Sequence, residues 1–123
     1  MEEQRFLYLV EQLKEFGGVE EAFLLDKDGV IIYKSHDFSL TPDEARAILT
    51  AWKVKEPALM YHGFRFAVLK NDEIQLAAKN IVGDKGNIVG SITKEGDYFL
   101  AHTRDEGMIL LEWSIQINKI AWS

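Results

Sequence analysis

Apolar residues recur at helical spacing at the start of the chain. Phe6, Leu9, Val10, Leu13 and Phe16 share one face of residues 2–16, with Glu2, Glu3, Glu11 and Glu15 mostly opposite, so the spacing predicts an amphipathic helix. Gly17-Gly18 ends it by supplying left-handed backbone. Two short, nearly unbroken apolar runs follow, one near Val19–Asp26 and one near Val30–Ser35, with Asp28-Gly29 between them. That is a hairpin signal, and runs this apolar predict a sheet region covered on both faces. A polar connector (His36, Asp37, Ser39) leads to Thr41-Pro42-Asp43-Glu44. Thr41 can cap a helix, Pro42 suits its first position and Glu44 stands where a capping box wants it. The helix should run from Pro42 to about Lys53, with Ala45, Ile48, Leu49 and Trp52 inward.

After Pro57 the pattern becomes strand-like. Ala58–Lys70 is one long candidate strand, broken near His62-Gly63. The turn Asn71-Asp72 leads to Glu73–Lys79, then a glycine-bearing loop over Val82–Asn87 to Ile88–Lys94. Glu95-Gly96-Asp97 turns the chain into Tyr98–Thr103. Six strands with such short links favour antiparallel pairing. The last segment, Met108–Trp122, reads as a helix that is apolar almost all round, which either packs between layers or leaves a stripe for a partner. The expected fold is α+β, one six-stranded antiparallel sheet sandwiched by helices.

The composition narrows the class. With 123 residues, 47% hydrophobic and no cysteine, the chain has the length and core of one domain, without disulfides or thiolate sites. The acidic, amphipathic N-terminus does not resemble a signal peptide and no apolar run has membrane-spanning length, so a cytoplasmic protein is expected. A net charge of −6 argues against a nucleic-acid binder, but the charge is uneven: residues 1–52 carry −6, residues 53–94 carry +3 and residues 95–123 carry −3. The central lysines and arginine are either solvated strand-edge charges or a basic face for a partner.

No catalytic constellation stands out. His36, His62 and His102 lie on separate elements without metal-ligand spacing. Ser35-His36-Asp37 has the letters of a triad, but neighbours on an extended segment point to opposite sides and should not form a relay. Gly83-Asp84-Lys85-Gly86-Asn87 matches neither phosphate-binding fingerprint. The acid pairs Glu20-Glu21 and Asp105-Glu106 suit exposed element ends. A binding module without metal or cofactor is expected rather than an enzyme.

Four stretches taken in order resemble the profilin family. KDGVIIYKSHDFSLTPDEARAIL stands in place of a profilin's hairpin, connector and proline-acidic helix start. PALMYHGFRFAVLK resembles its central strand pair. IVGDKGNIVGSITKEGDYFLAHTRDE resembles its glycine-lysine loop, I-T-K hairpin and acidic exit, and Glu112 falls on the final helix. The resemblance covers nearly the whole chain, in a divergent, archaeal (Asgard-type) form. It implies terminal helices on one sheet face, the middle helix on the other, and a monomer that binds monomeric actin and regulates its polymerisation at the cytoskeleton. By position, Lys53, Arg65, Val68, Lys70, Lys85, Met108 and Glu112 would contact actin. Val68, Met108 and Phe66 would be apolar anchors, unless they serve the core. A poly-proline groove for proline-rich partners would fall on Phe6, Tyr8, Ile32, Trp113, Ile117 and Trp122. Ile32 stands where the family has a tryptophan and Ile117 where it has a tyrosine, so weak or altered proline binding is implied. Lys79 and Lys85 would recognise phosphatidylinositol bisphosphate headgroups.

LVEQLKEFGGVEEAFLLDKDGVIIYKS is also similar to the start of a roadblock-type domain, a dimeric partner of small G proteins. Such a domain would show three strands after Trp52, where this chain shows four.

Overall fold

In the computed structural model, which describes residues 1–123, helix α1 (Glu3–Lys14) buries Phe6, Leu9, Val10 and Leu13. Phe16 lies beyond its end, exposed, with its ring edge-on to Trp113. Strands β1 (Val19–Leu25) and β2 (Ile31–Lys34) form the first hairpin. Its turn is tied by the Asp26 carboxylate, which accepts the Asp28 and Val30 N–H groups at 2.8 and 3.0 Å. Gly29 is required there twice over. Its φ is +83°, and a Cβ would sit 3.1 Å from the Arg46 backbone. Ala22, Phe23, Leu24 and Leu25 are fully buried, as the unbroken apolar run predicts. β2 departs from that expectation: it is an edge strand, and all four of its residues are only half-buried.

Helix α2 (Pro42–Lys53) starts where its caps place it, with Thr41 Oγ1 accepting the Glu44 N–H at 3.0 Å. Ala45, Ile48, Leu49 and Trp52 are its buried face. Glu44 does not close the capping box. Its carboxylate accepts the His62 N–H at 2.8 Å, tying the helix start to a strand turn.

The candidate strand over Ala58–Lys70 divides at its expected break into two, β3 (Ala58–Tyr61) and β4 (Phe64–Asn71). His62 and Gly63 have φ of 52° and 80°, so the chain reverses on two left-handed residues. The apolar alternation runs on across the turn, so the two strands read as one interrupted strand. With β5 (Gln75–Lys79), β6 (Asn87–Ile92) and β7 (Tyr98–Thr103) the sheet has seven strands rather than six, in the order β2-β1-β7-β6-β5-β4-β3 and antiparallel at every step.

One core lies on the α2 side and joins Ile48, Leu49 and Trp52 to Phe23, Tyr61, Phe66, Leu76 and Leu100. The other joins α1 to α3 (Leu110–Ala121) over Leu24, Val89 and Phe99. The terminal helices therefore share one face and α2 takes the other. Gly90 lets the layers close, since a Cβ there would meet the Trp52 ring at 2.8 Å. The sheet also curls: Phe23 on β1 stacks on Tyr61 of β3, ring centroids 6.1 Å apart, although five strand-to-strand steps separate these strands in the sheet.

Candidate functional site

Helix α3 packs over β6 and β5 and leaves the adjoining strands β4 and β3 open on the same face. Strand alternation decides which residues stand on that face. Leu76 and Ala78 enter the α2-side core, so Gln75, Ala77 and Lys79 point to the α3 side. Ala67 lies opposite Lys79, and Met60 lies opposite Arg65. Met60 and Arg65 are exposed. A bulge between Val68 and Lys70 turns Lys70 to this face as well. The Lys70 ammonium donates to Gln75 Oε1 at 3.0 Å, and Gln75 Nε2 donates to the Ser114 carbonyl at 2.7 Å, linking strand face and helix. On α3, Leu111 and Ile115 are exposed. The arrangement sets exposed apolar side chains beside cations, a composition that suits contact with acidic groups.

Of the residues expected to meet a partner, Arg65 and Lys70 share this face. Lys85 sits in the loop between β5 and β6, its ammonium 4.7 Å over the Phe64 ring. Val68 is half-buried and packs on the α2-side core, and Phe66 is 1% exposed within that core. Lys53 also lies on the α2 side, where it donates to the Lys27 carbonyl and sits 5.5 Å over the Tyr98 ring. Met108 is half-buried against the core of α1 and α3. Glu112 is exposed, and its carboxylate accepts the Ile109 N–H at 3.2 Å, capping α3. Sequence reasoning missed Met60, Leu111 and Ile115. The surplus of apolar residues on the last helix pointed to the latter two, whereas Met60 needed the hairpin to place it opposite Arg65.

Of the six residues expected to form a proline groove, three are closed off and two are open to solvent. Phe6, Trp113 and Ile117 are fully buried, because the inward stripe of an amphipathic helix is spent on the core. Trp113 Nε1 donates to the Arg104 carbonyl. Ile32 is half-buried against the same core. Tyr8 and Trp122 are half-exposed. Tyr8 lines, with Phe16, Gln116 and Lys119, a cleft of about 220 Å³ between α1 and α3.

Lys79 has an internal counter-ion, Asp105, at 2.6 Å. Burial alone would raise the Asp105 carboxyl, but hydrogen bonds from Lys79 and Asn87 hold it below the ordinary aspartate range.

Two of the three histidines, from separate elements, converge on Glu21. Glu21 Oε1 accepts the Tyr61 hydroxyl at 2.6 Å, with His102 Nδ1 at 3.3 Å and His62 Nε2 at 3.8 Å. Glu21 is thus a partly buried hub rather than an exposed end, whereas its neighbour Glu20 pairs with Arg104 at 2.6 Å. Burial first, and then the Glu21 carboxylate, push the Tyr61 phenol far above its ordinary pKa. Ser35 and His36 also meet, Oγ to Nδ1 at 3.0 Å, because β2 has ended and the chain is no longer extended there. Asp37 bonds to neither, and the Ser35 hydroxyl accepts the Ala22 N–H, so no relay forms. No cluster of three or more His, Cys, Asp or Glu could hold a metal ion, and no helix is long and apolar enough to cross a membrane.

No protein-family model matches the chain. Its sequence is 70% identical to Loki profilin-3 of Lokiarchaeum sp. (strain GC14_75) over 123 residues, all of both chains. Among solved structures, LokiProfilin2 in a complex with rabbit actin is similar at a TM-score of 0.81 and 15% identity, over 98% of this chain and 95% of that one. The Roadblock/LC7 domain from Streptomyces avermitillis has the related layout at a TM-score of 0.57 and 16% identity, over 98% and 97%. The two folds share their layers, and the full-length sequence identity separates them: this chain belongs to the profilin family.

Proposed function

We propose that this profilin binds monomeric actin through the open face of β3 and β4 beside α3, and so controls how fast monomers enter filaments. The observation that carries the reading is the composition of that face. Arg65 and Lys70 stand beside exposed Met60, Leu111 and Ile115, on a chain whose net charge is −6. Local cations on an acidic protein steer an acidic partner, and the exposed apolar side chains supply the area to be desolvated. Two relatives support the choice of partner, since the 70% identical chain is named a profilin and LokiProfilin2 is described in complex with rabbit actin. The protein acts as a cytoplasmic monomer at the cytoskeleton. Pyrene-labelled rabbit actin tests the reading: an excess of this protein should slow spontaneous polymerisation, and an unchanged time course overturns it.

Proline-rich ligands and phosphatidylinositol bisphosphate are secondary in this reading. With Phe6, Trp113 and Ile117 buried, only the Tyr8 cleft is left for a proline-rich segment, and binding there is weak. Lys85 is the principal contact for an anionic headgroup, since Lys79 is already paired with Asp105.

A further inference from the structure

Loop 80–86 carries two adjacent β-branched residues, Ile81 and Val82, which are 62% and 83% exposed. Neither belongs to a core cluster. An exposed apolar pair at a loop tip usually belongs to a mobile loop, but this one is held. Asn80, 5% exposed, donates from Nδ2 to the Arg65 carbonyl at 2.9 Å and accepts the Lys85 N–H on Oδ1 at 3.0 Å. Its own N–H donates to the Gly86 carbonyl at 2.9 Å. The Lys85 carbonyl lies 2.6 Å from His102 Nε2, and the Lys85 ammonium covers the Phe64 ring. The loop is therefore ordered before any partner arrives, which removes the entropy cost that weakens flexible contacts.

The tip is also continuous with the face described above. Ile81 and Val82 share a concavity of about 240 Å³ with Met60, Phe64 and Arg65. We infer that Ile81 and Val82 form a preorganised apolar knob that enters a hydrophobic socket on the actin partner, with Arg65 and Lys85 meeting acidic groups at the socket's rim. The inference rests on the actin-binding reading and adds a second anchor to it. A second copy of this chain fits less well, because a two-fold contact through the tip would set Arg65 and Lys85 against their own copies. A lipid surface also fits less well. Asp84 stands at the same tip and the neighbouring Lys79 is neutralised by Asp105.

The test is the double variant Ile81→Ser with Val82→Ser, measured against rabbit actin monomers by fluorescence anisotropy, with a thermal melt alongside. The expected result is a Kd raised about tenfold or more, with the melt unchanged because neither side chain is in a core. Val82→Ala alone should show a smaller loss in the same direction and guards against a folding artefact of the double change. If the wild-type protein binds actin and the double variant binds equally well, the knob is overturned while the actin reading stands. If the wild-type protein does not bind actin, both fall. Light scattering that shows a wild-type dimer dissolved by the variant, or sedimentation with phosphatidylserine vesicles lost in the variant, would assign the tip to a different occupant and overturn the inference.

Discussion

The Tyr61 hydroxyl donates to the Glu21 carboxylate at 2.6 Å, joining β3 to β1 across the concave side of the sheet. These strands are five steps apart in the strand order, and a flat sheet would hold them roughly 24 Å apart at the usual strand spacing. The bond therefore exists only because the sheet curls around the α2-side core, and it fastens that curl. Phe23 stacking on Tyr61 and His102 beside Glu21 complete the closure.

Removing that hydroxyl should loosen the closure. Tyr61→Phe keeps the ring and leaves a partly buried carboxylate short of a donor, so a loss of about 1–2 kcal/mol is expected in urea unfolding at pH 7. The pH dependence has a definite sign. The unfolded phenol ionises near its ordinary pKa of about 10, whereas the folded one resists ionisation because burial and Glu21 disfavour the phenolate. Above that pH the unfolded chain binds fewer protons, so stability is present below about pH 10 and falls as pH rises past it. Tyr61→Phe should show less of that alkaline loss, and equal losses in both proteins would refute the assignment.

Helix α3 offers a paired test in two side chains of one kind. Ile115 is exposed and Ile117 is fully buried. Ile115→Asp should leave the melt almost unchanged and weaken actin binding about tenfold or more. Ile117→Ala should cost about 2–5 kcal/mol by opening a cavity between α3 and the sheet. Actin binding by the folded fraction of the second variant should survive. Reversed outcomes would mean the wrong face of α3 has been assigned to the partner.

Charge reversal of the strand face tests its electrostatics. Arg65→Glu with Lys70→Glu should lower the association rate with actin by about tenfold at low salt and flatten its dependence on ionic strength. Circular dichroism melts should stay nearly superimposable, since Arg65 and Lys70 are both exposed. Lys53→Glu serves as the control. It sits on the α2 side, so a loss of binding as large as that of the double variant would contradict the placement of the site.

Retention on a poly-L-proline column should be weak. Tyr8→Ala should abolish what remains, and Trp113→Phe should leave it unchanged because Trp113 has no exposed surface. Tight capture that depends on Trp113 would show that the helices part to admit the ligand.

The first two helices and their inward stripes were legible from periodicity and caps, whereas the last helix, apolar almost all round, showed no inward stripe in the sequence. α2 runs from Pro42 to Lys53 with Thr41 as its cap, and Phe6, Leu9, Val10 and Leu13 are the buried line of α1. β7 occupies Tyr98–Thr103 as its alternation and the preceding glycine turn require. These features depend on residues a few positions apart, so local spacing is sufficient to determine them. The break at His62-Gly63 was legible, but not that the chain reverses there, because apolar alternation continues across it. Its two left-handed residues became visible only with the backbone in place.

The amino-acid sequence by itself determined the element types, the antiparallel connections, the basic centre of an acidic chain and the resemblance to one family. Tertiary structure alone decided which side of the sheet each functional side chain faces. Arg65 and Lys70 reach one open surface, while Val68 and Lys53 face the other side and Trp113 disappears into the core. The reason is physical. A bulge of one residue or a two-residue turn reassigns every later side chain in a strand to a face, and the curl of seven strands brings together residues as distant as Glu21, Tyr61 and His102.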